Sequence, residues 1–201
     1  MIGVRSISQN LYLNGFVVKS YEEEQYPQQQ YHYRGIGRYR SWPLEHLKDD
    51  QSREISRFAY ETWFAYSDDR FEVIPSRAFI KRYVEHCNTL GIQTFIIQIE
   101  STCDILQTTE RGVLVETLGF DYAGGDLQSS CLYYDMIDYK EIKSYALFDT
   151  VKRKLNRNGL LNTIKEMYEY LEIREKLMEQ GYEFEEELYQ IFPMKLSIVK
   201  L

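Results

Sequence analysis

The residues that could do chemistry gather between Glu116 and Asp138. Glu116, Asp121, Asp126, Asp135 and Asp138 place carboxylates along one stretch. Hard divalent cations favour such oxygen ligands, and a bound metal would give the stretch hydrolytic chemistry. The spacing follows no calcium-loop pattern. The same acids are interleaved with Gly119, Gly124 and Gly125, which is also the chemistry of tight turns. Two readings stand side by side: an enzyme with an uncommon carboxylate or metal site around 116–138, or a connection that its acids solvate.

Other constellations fall short of a mechanism. Cys87 directly follows His86, and adjacent helical residues point apart, so they make no nucleophilic pair. Cys87 sits on an apolar stripe, where a small thiol is ordinarily buried. His32 and His46 have no local partner pattern. Ser129 and Ser130 lack the Gly-x-Ser-x-Gly elbow. Gly35-x-Gly37 lacks the third glycine of a dinucleotide loop, and no Gly-x-x-x-x-Gly-Lys loop occurs. No catalytic residue is assigned, and neither a cofactor nor a metal is expected.

Residues 21–42 interleave Tyr21, Tyr26, Tyr31, Tyr33, Tyr39 and Trp42 with Arg34, Arg38 and Arg40. Such a pattern could stack single-stranded bases. Glu22, Glu23 and Glu24 beside it make a poor phosphate track, so the expectation is an amphipathic strand pair. The net charge of −7 also argues against a broad nucleic-acid face. It suits a basic protein partner. The chain has 18 tyrosines, which fit protein interfaces and half-buried strands alike.

Three cysteines, Cys87, Cys103 and Cys131, form neither a disulfide framework nor a zinc spacing. That points to a reducing compartment and three free thiols. The Met1 end shows no signal-peptide pattern, and no apolar run approaches the ~20 residues that span a bilayer. The expected location is cytoplasmic, with no membrane contact.

The elements that must position these residues centre on Thr94–Ile99, the most apolar and β-branched run, read as a central strand buried on both faces. Phe71–Ile74 reads as a short strand stopped by Pro75. Ser76 can cap a helix carrying Phe79, Ile80, Tyr83, Val84, Cys87 and Leu90, which Gly91 ends. Strand, helix and strand make a candidate βαβ unit. Asn14-Gly15 between apolar runs signals a hairpin. Asp49 or Asp50 can cap a helix whose face carries Ile55, Phe58 and Trp63. Val113-Leu114-Val115 reads as a strand that turns at Glu116, followed by a glycine-rich loop from Leu118 to Asp126. Asn156–Gly159 is a turn. Thr163 and Glu166 form a capping box for a helix ended by Gly181. Met194, Leu196 and Ile198 alternate as a closing half-buried strand. The expected fold is α+β, with mixed α/β as the variant. One central sheet including 94–99 is flanked by helices near 51–67, 77–90 and 163–180. It forms one domain, 1–201, in which 1–42 is a hairpin or arm packed on the rest. The expected core holds Phe58, Trp63, Phe79, Ile80, Val84, Phe95, Ile97, Leu171 and Leu177.

Leu118-Gly119-Phe120-Asp121-Tyr122-Ala123-Gly124-Gly125-Asp126, with Leu155-Asn156-Arg157-Asn158-Gly159-Leu160-Leu161 entering a helix and the closing strand, resembles small bacterial immunity-type proteins. Those proteins neutralise toxins used in competition between cells. The resemblance covers about a third of the chain. It implies a non-catalytic binding protein whose acidic, Tyr-rich surface blocks a basic toxin domain. A structural or assembly accessory protein of a phage or mobile element is the further alternative. An inhibitory surface would combine carboxylates with tyrosines on an exposed patch. The expected partner-binding residues are Asp121, Tyr122, Asp126, Tyr133, Tyr134, Asp135 and Asp138, with Tyr31, Tyr33 and Tyr39 as a second group.

Overall fold

The fold is that of a computed structural model, which describes residues 10–21, 39–66, 73–103, 110–123, 132, 151, 153–181 and 192–201. It is α+β. Among the described residues five strands form one sheet: β1 (Tyr12–Tyr21), β2 (Tyr39–Ser41), β3 (Thr94–Ser101), β4 (Val113–Ala123) and β5 (Phe192–Lys200), in the order β2-β1-β3-β5-β4. Every strand pairing is antiparallel. Among the described residues three α-helices accompany the sheet: α1 (Asp50–Tyr66), α2 (Arg77–Thr89) and α3 (Ile164–Glu179).

The run Thr94–Ile99 opens the middle strand, as its composition requires. Ile97 and Ile99 are buried between Val17 and Gly15 of β1 and Ile198 and Leu196 of β5. The βαβ expectation is overturned, because both neighbours of β3 run antiparallel to it. Of Phe71–Ile74, the described residues Val73 and Ile74 add only one bridge, Ile74 exchanging backbone hydrogen bonds with Phe16. That bridge also explains Asn14-Gly15. There is no hairpin turn there; β1 runs straight through with a bulge. A side chain on Gly15 would stand 3.1 Å from the Ile74 carbonyl, so the glycine serves close backbone approach. Asn14 is fully buried and its Nδ2 donates to the Cys103 carbonyl at 2.9 Å. Of residues 1–42, the described segments enter the sheet: β1 lies inside it, paired with β3, and β2 pairs along the outer side of β1; residues 1–9 and 22–38 lie outside the described residues.

The helix ends follow local chemistry. The Asp49 carboxylate accepts from the Ser52 amide at 2.8 Å at the start of α1, and Ser76 accepts from Phe79 at the start of α2. Thr163 and Glu166 complete a reciprocal capping box on α3. Gly91 and Gly181 follow α2 and α3 with positive φ, where only glycine is unstrained.

The buried core matches the expectation at Phe79, Ile80, Ile97 and Leu177. Val84, Phe95 and Leu171 are only partly buried. Phe58 is 48% exposed, a correction, although its ring still meets Phe79 at 5.3 Å. Leu90 is exposed too, because it caps α2 and sits beyond the packed turns. The side chain of Trp63 lies outside the described residues.

Candidate functional site

β4 positions the stretch that the acids singled out, and it does so in two different ways along its length. Among the described residues it is the last strand of the sheet, so β5 covers only its inner side. The expected turn at Glu116 is absent. The strand continues to Ala123, absorbing two register shifts, at Leu114/Glu116 and Thr117/Gly119.

The second half of β4 is closed. The turn Asn156–Leu161 lies against its outer edge. Phe120 and Leu161 exchange backbone hydrogen bonds of 2.8 and 3.0 Å. Asn156 and Asn158 both donate their Nδ2 to the Leu118 carbonyl, at 2.8 and 3.1 Å. The turn is self-supporting: the Asn156 side-chain oxygen accepts from the amides of Asn158 and Leu160. Gly119 makes this contact possible. A Cβ there would lie 2.7 Å from both Leu160 Cβ and the Leu161 carbonyl. Residues 118–120 and 156–161, both within the stretches that carry the resemblance, thus pack on each other.

This closure overturns part of the expected partner surface. Asp121 and Tyr122 belong to the strand, not to a loop, and both are buried. The Asp121 carboxylate accepts from the amides of Tyr122 at 2.8 Å and Leu132 at 3.0 Å. A buried carboxylate that holds two backbone donors is a structural clasp. Tyr122 stacks obliquely on Tyr170, and the buried Arg174 lies over its ring at 5.7 Å. Tyr39 pairs through its backbone with Tyr21 in β2. Asp126, Tyr133, Tyr134, Asp135, Asp138, Tyr31 and Tyr33 lie outside the described residues.

The first half of β4 is open. Val113, Leu114 and Val115 are 71, 58 and 53% exposed. Among the described residues their backbones have no hydrogen-bond partner beyond β5. Consecutive strand residues face opposite sides, so exposure of all three means that both faces of the margin are uncovered. Glu116, at the boundary, forms an ion pair with Arg157 of the covering turn.

Behind the open half runs a polar seam that reading Thr94–Ile99 as an apolar run missed. Glu100 is buried, and its carboxylate binds Arg111 at 2.7 Å and Lys195 at 3.6 Å. Gln98 accepts from the Gly112 amide at 2.9 Å. The pair Glu100↔Lys195 sits directly across β3 and β5. These bonds fix Arg111 and Gly112, hence the start of β4. The signal was present as Gln98 and Glu100 alternating in the run, and as Lys195 between Met194 and Leu196.

Elsewhere among the described residues, buried polar groups join elements of the fold. Ser52 Oγ and His86 Nε2 are 3.2 Å apart, both buried, and join α1 to α2. Ser52 holds the Asp49 carboxyl below its ordinary range through a side-chain and a backbone hydrogen bond. Burial pushes the Cys87 thiol up to about 12, which suits a packed thiol and not a nucleophile. Burial also raises the Tyr83 hydroxyl, which accepts from the Leu44 amide at 2.9 Å. Neither Cys87 nor Cys103 is in a disulfide, and Cys131 lies outside the described residues. Among the described residues no three His, Cys, Asp or Glu side chains converge. Nor is any described helix long and apolar enough to cross a membrane.

Comparison with protein-family models, with curated proteins and with solved structures found no match.

Proposed function

We propose that this chain is a non-catalytic cytoplasmic binding protein of the immunity type, which neutralises a cognate toxin by covering part of its surface. The observation that carries the reading is the open half of β4. Three consecutive exposed apolar residues on a sheet margin that no other described residue pairs are a template for an incoming strand. Backbone pairing would supply affinity, and Val113, Leu114 and Val115 would supply apolar contact. The net charge of −7 favours a basic partner by steering its approach. The rival enzymatic reading loses two of its acids, since Asp121 is occupied by backbone amides and Glu116 by Arg157.

The test is co-expression with the product of a neighbouring toxin-like reading frame. The expected result is a purified complex, protection of growth, and loss of at least about tenfold in affinity in a Val113→Lys, Val115→Lys variant. Failure to bind or protect would remove the inhibitory reading. Unchanged affinity in the folded variant would move the interface elsewhere.

A further inference from the structure

We infer that Glu100 and Gln98 are positioning residues for the docking edge: they hold the start of β4 in place for an incoming strand that touches neither of them. This rests on reading the open half of β4 as that edge. Val113, Leu114 and Val115 are more than half exposed, and among the described residues they pair only with β5. A segment with so few buried contacts opens easily. If the incoming strand had to order it first, that cost would come out of the affinity.

The chain is tied down just before the exposed residues begin. The Gly112 amide donates to the Gln98 side-chain oxygen at 2.9 Å, and the Arg111 guanidinium binds the Glu100 carboxylate at 2.7 Å. Both acceptors are buried in β3, and in the sheet β5 lies between β3 and β4. A strand added at the outer edge of β4 therefore reaches neither. Gly112 also seats against β5, where a Cβ would stand 2.6 Å from Val199 Cγ2. Arg111 adds two further directions. Its Nη2 donates to the Leu11 carbonyl at 3.4 Å, and its own carbonyl accepts from Arg77 at the start of α2 at 3.3 Å. At the far end, the Glu116–Arg157 pair and the Asn156–Leu161 turn hold β4 in turn. The edge is thus open along its outer side and fixed at both ends. Apolar residues at 98 and 100 would fill the same space, but they would hold neither the Gly112 amide nor the Arg111 guanidinium.

Two measurements on a Glu100→Gln, Gln98→Leu double variant of the full chain test this. The first is amide hydrogen exchange of the free protein. The amides of 112–115 that are protected in wild type should exchange at least about tenfold faster, the effect of losing a hydrogen bond to a charged group. Those of 118–122 should change much less. The second is affinity for the product of the neighbouring toxin-like reading frame. It should fall at least about threefold, because apparent affinity scales with the fraction of chains whose edge is in place. Should the double variant fail to fold, Arg111→Met removes the same tie from its outer end, where the side chain is 57% exposed. Exchange unchanged at 112–115, or raised equally in both segments, overturns the inference. So does full affinity in a variant whose 112–115 amides have lost protection, and that result leaves the inhibitory reading standing. Absence of binding by the wild-type chain removes the inhibitory reading itself, and the positioning role with it.

Discussion

The two halves of β4 share a backbone and a neighbour, yet one is core and the other is surface. Val113-Leu114-Val115 is the more apolar half and stands exposed. Leu118-Gly119-Phe120-Asp121-Tyr122 contains an acid and a glycine, and Leu118, Gly119, Asp121 and Tyr122 are buried. Hydrophobicity does not set this difference. What sets it is whether something pairs with the outer edge: the Asn156–Leu161 turn does so for the second half. A strand at a sheet margin takes its burial from the segment that covers it, and that segment lies about forty residues away.

The contrast can be broken most violently at Asp121. Asp121→Lys would bury an unpaired cation and strip the amides of Tyr122 and Leu132 of their acceptor, at a cost of about 4 kcal/mol or more. The same reversal at Glu116 should stay within about 1 kcal/mol, since that ion pair is solvent-exposed. Chemical denaturation of the two variants checks this, and equal losses would mean that the halves are not different in kind.

Gly119 and Asn156 probe the cover itself. Gly119→Ala forces a Cβ into Leu160 and the Leu161 carbonyl and should cost about 1–3 kcal/mol. Asn156→Ala removes the donor to Leu118 and the acceptor for Asn158 and Leu160, for about 1–3 kcal/mol. Either variant should also expose Tyr122, read as a rise in tyrosine solvent accessibility. Stability unchanged in both would mean that the turn does not hold β4.

These results mark what was legible in the chain. Helix starts were, because Asp49, Ser76 and Thr163 each act on the amide three residues on. The middle strand was too, since β-branched residues at Thr94–Ile99 suit no other place. Strand direction was not: it depends on pairing between segments distant in sequence, which local patterns do not encode. Glycine misled twice for one reason. Gly15 and Gly119 were read as turn formers, whereas both admit a neighbouring chain at close range. Asp121, expected on an exposed partner-binding loop, is buried because its donors, one of them Leu132, appear only in the fold. The candidate site was the least legible part, for an apolar triplet reads as core unless its lack of cover is known.

Smaller effects sharpen the comparison on α3, which follows the covering turn. Thr163→Ala should cost about 1 kcal/mol by removing the cap. Lys154 of the loop before the turn meets Glu169 at 2.9 Å, and the pair raises the lysine and lowers the carboxyl. A carboxyl lowered on folding contributes stability above its unfolded pKa and loses it as pH falls through the folded one. Glu169→Gln should therefore flatten the acid limb of the stability profile slightly, with no change near neutrality beyond loss of the exposed pair. An acid limb identical to wild type would show the pair to be inert.

The division of β4 is tested most directly by amide hydrogen exchange of the full chain. The account predicts that peptides covering 118–122 exchange near the rate of global unfolding, while those covering 113–117 contain outward amides that exchange orders of magnitude faster. Equal protection of both segments, fast or slow, would contradict it.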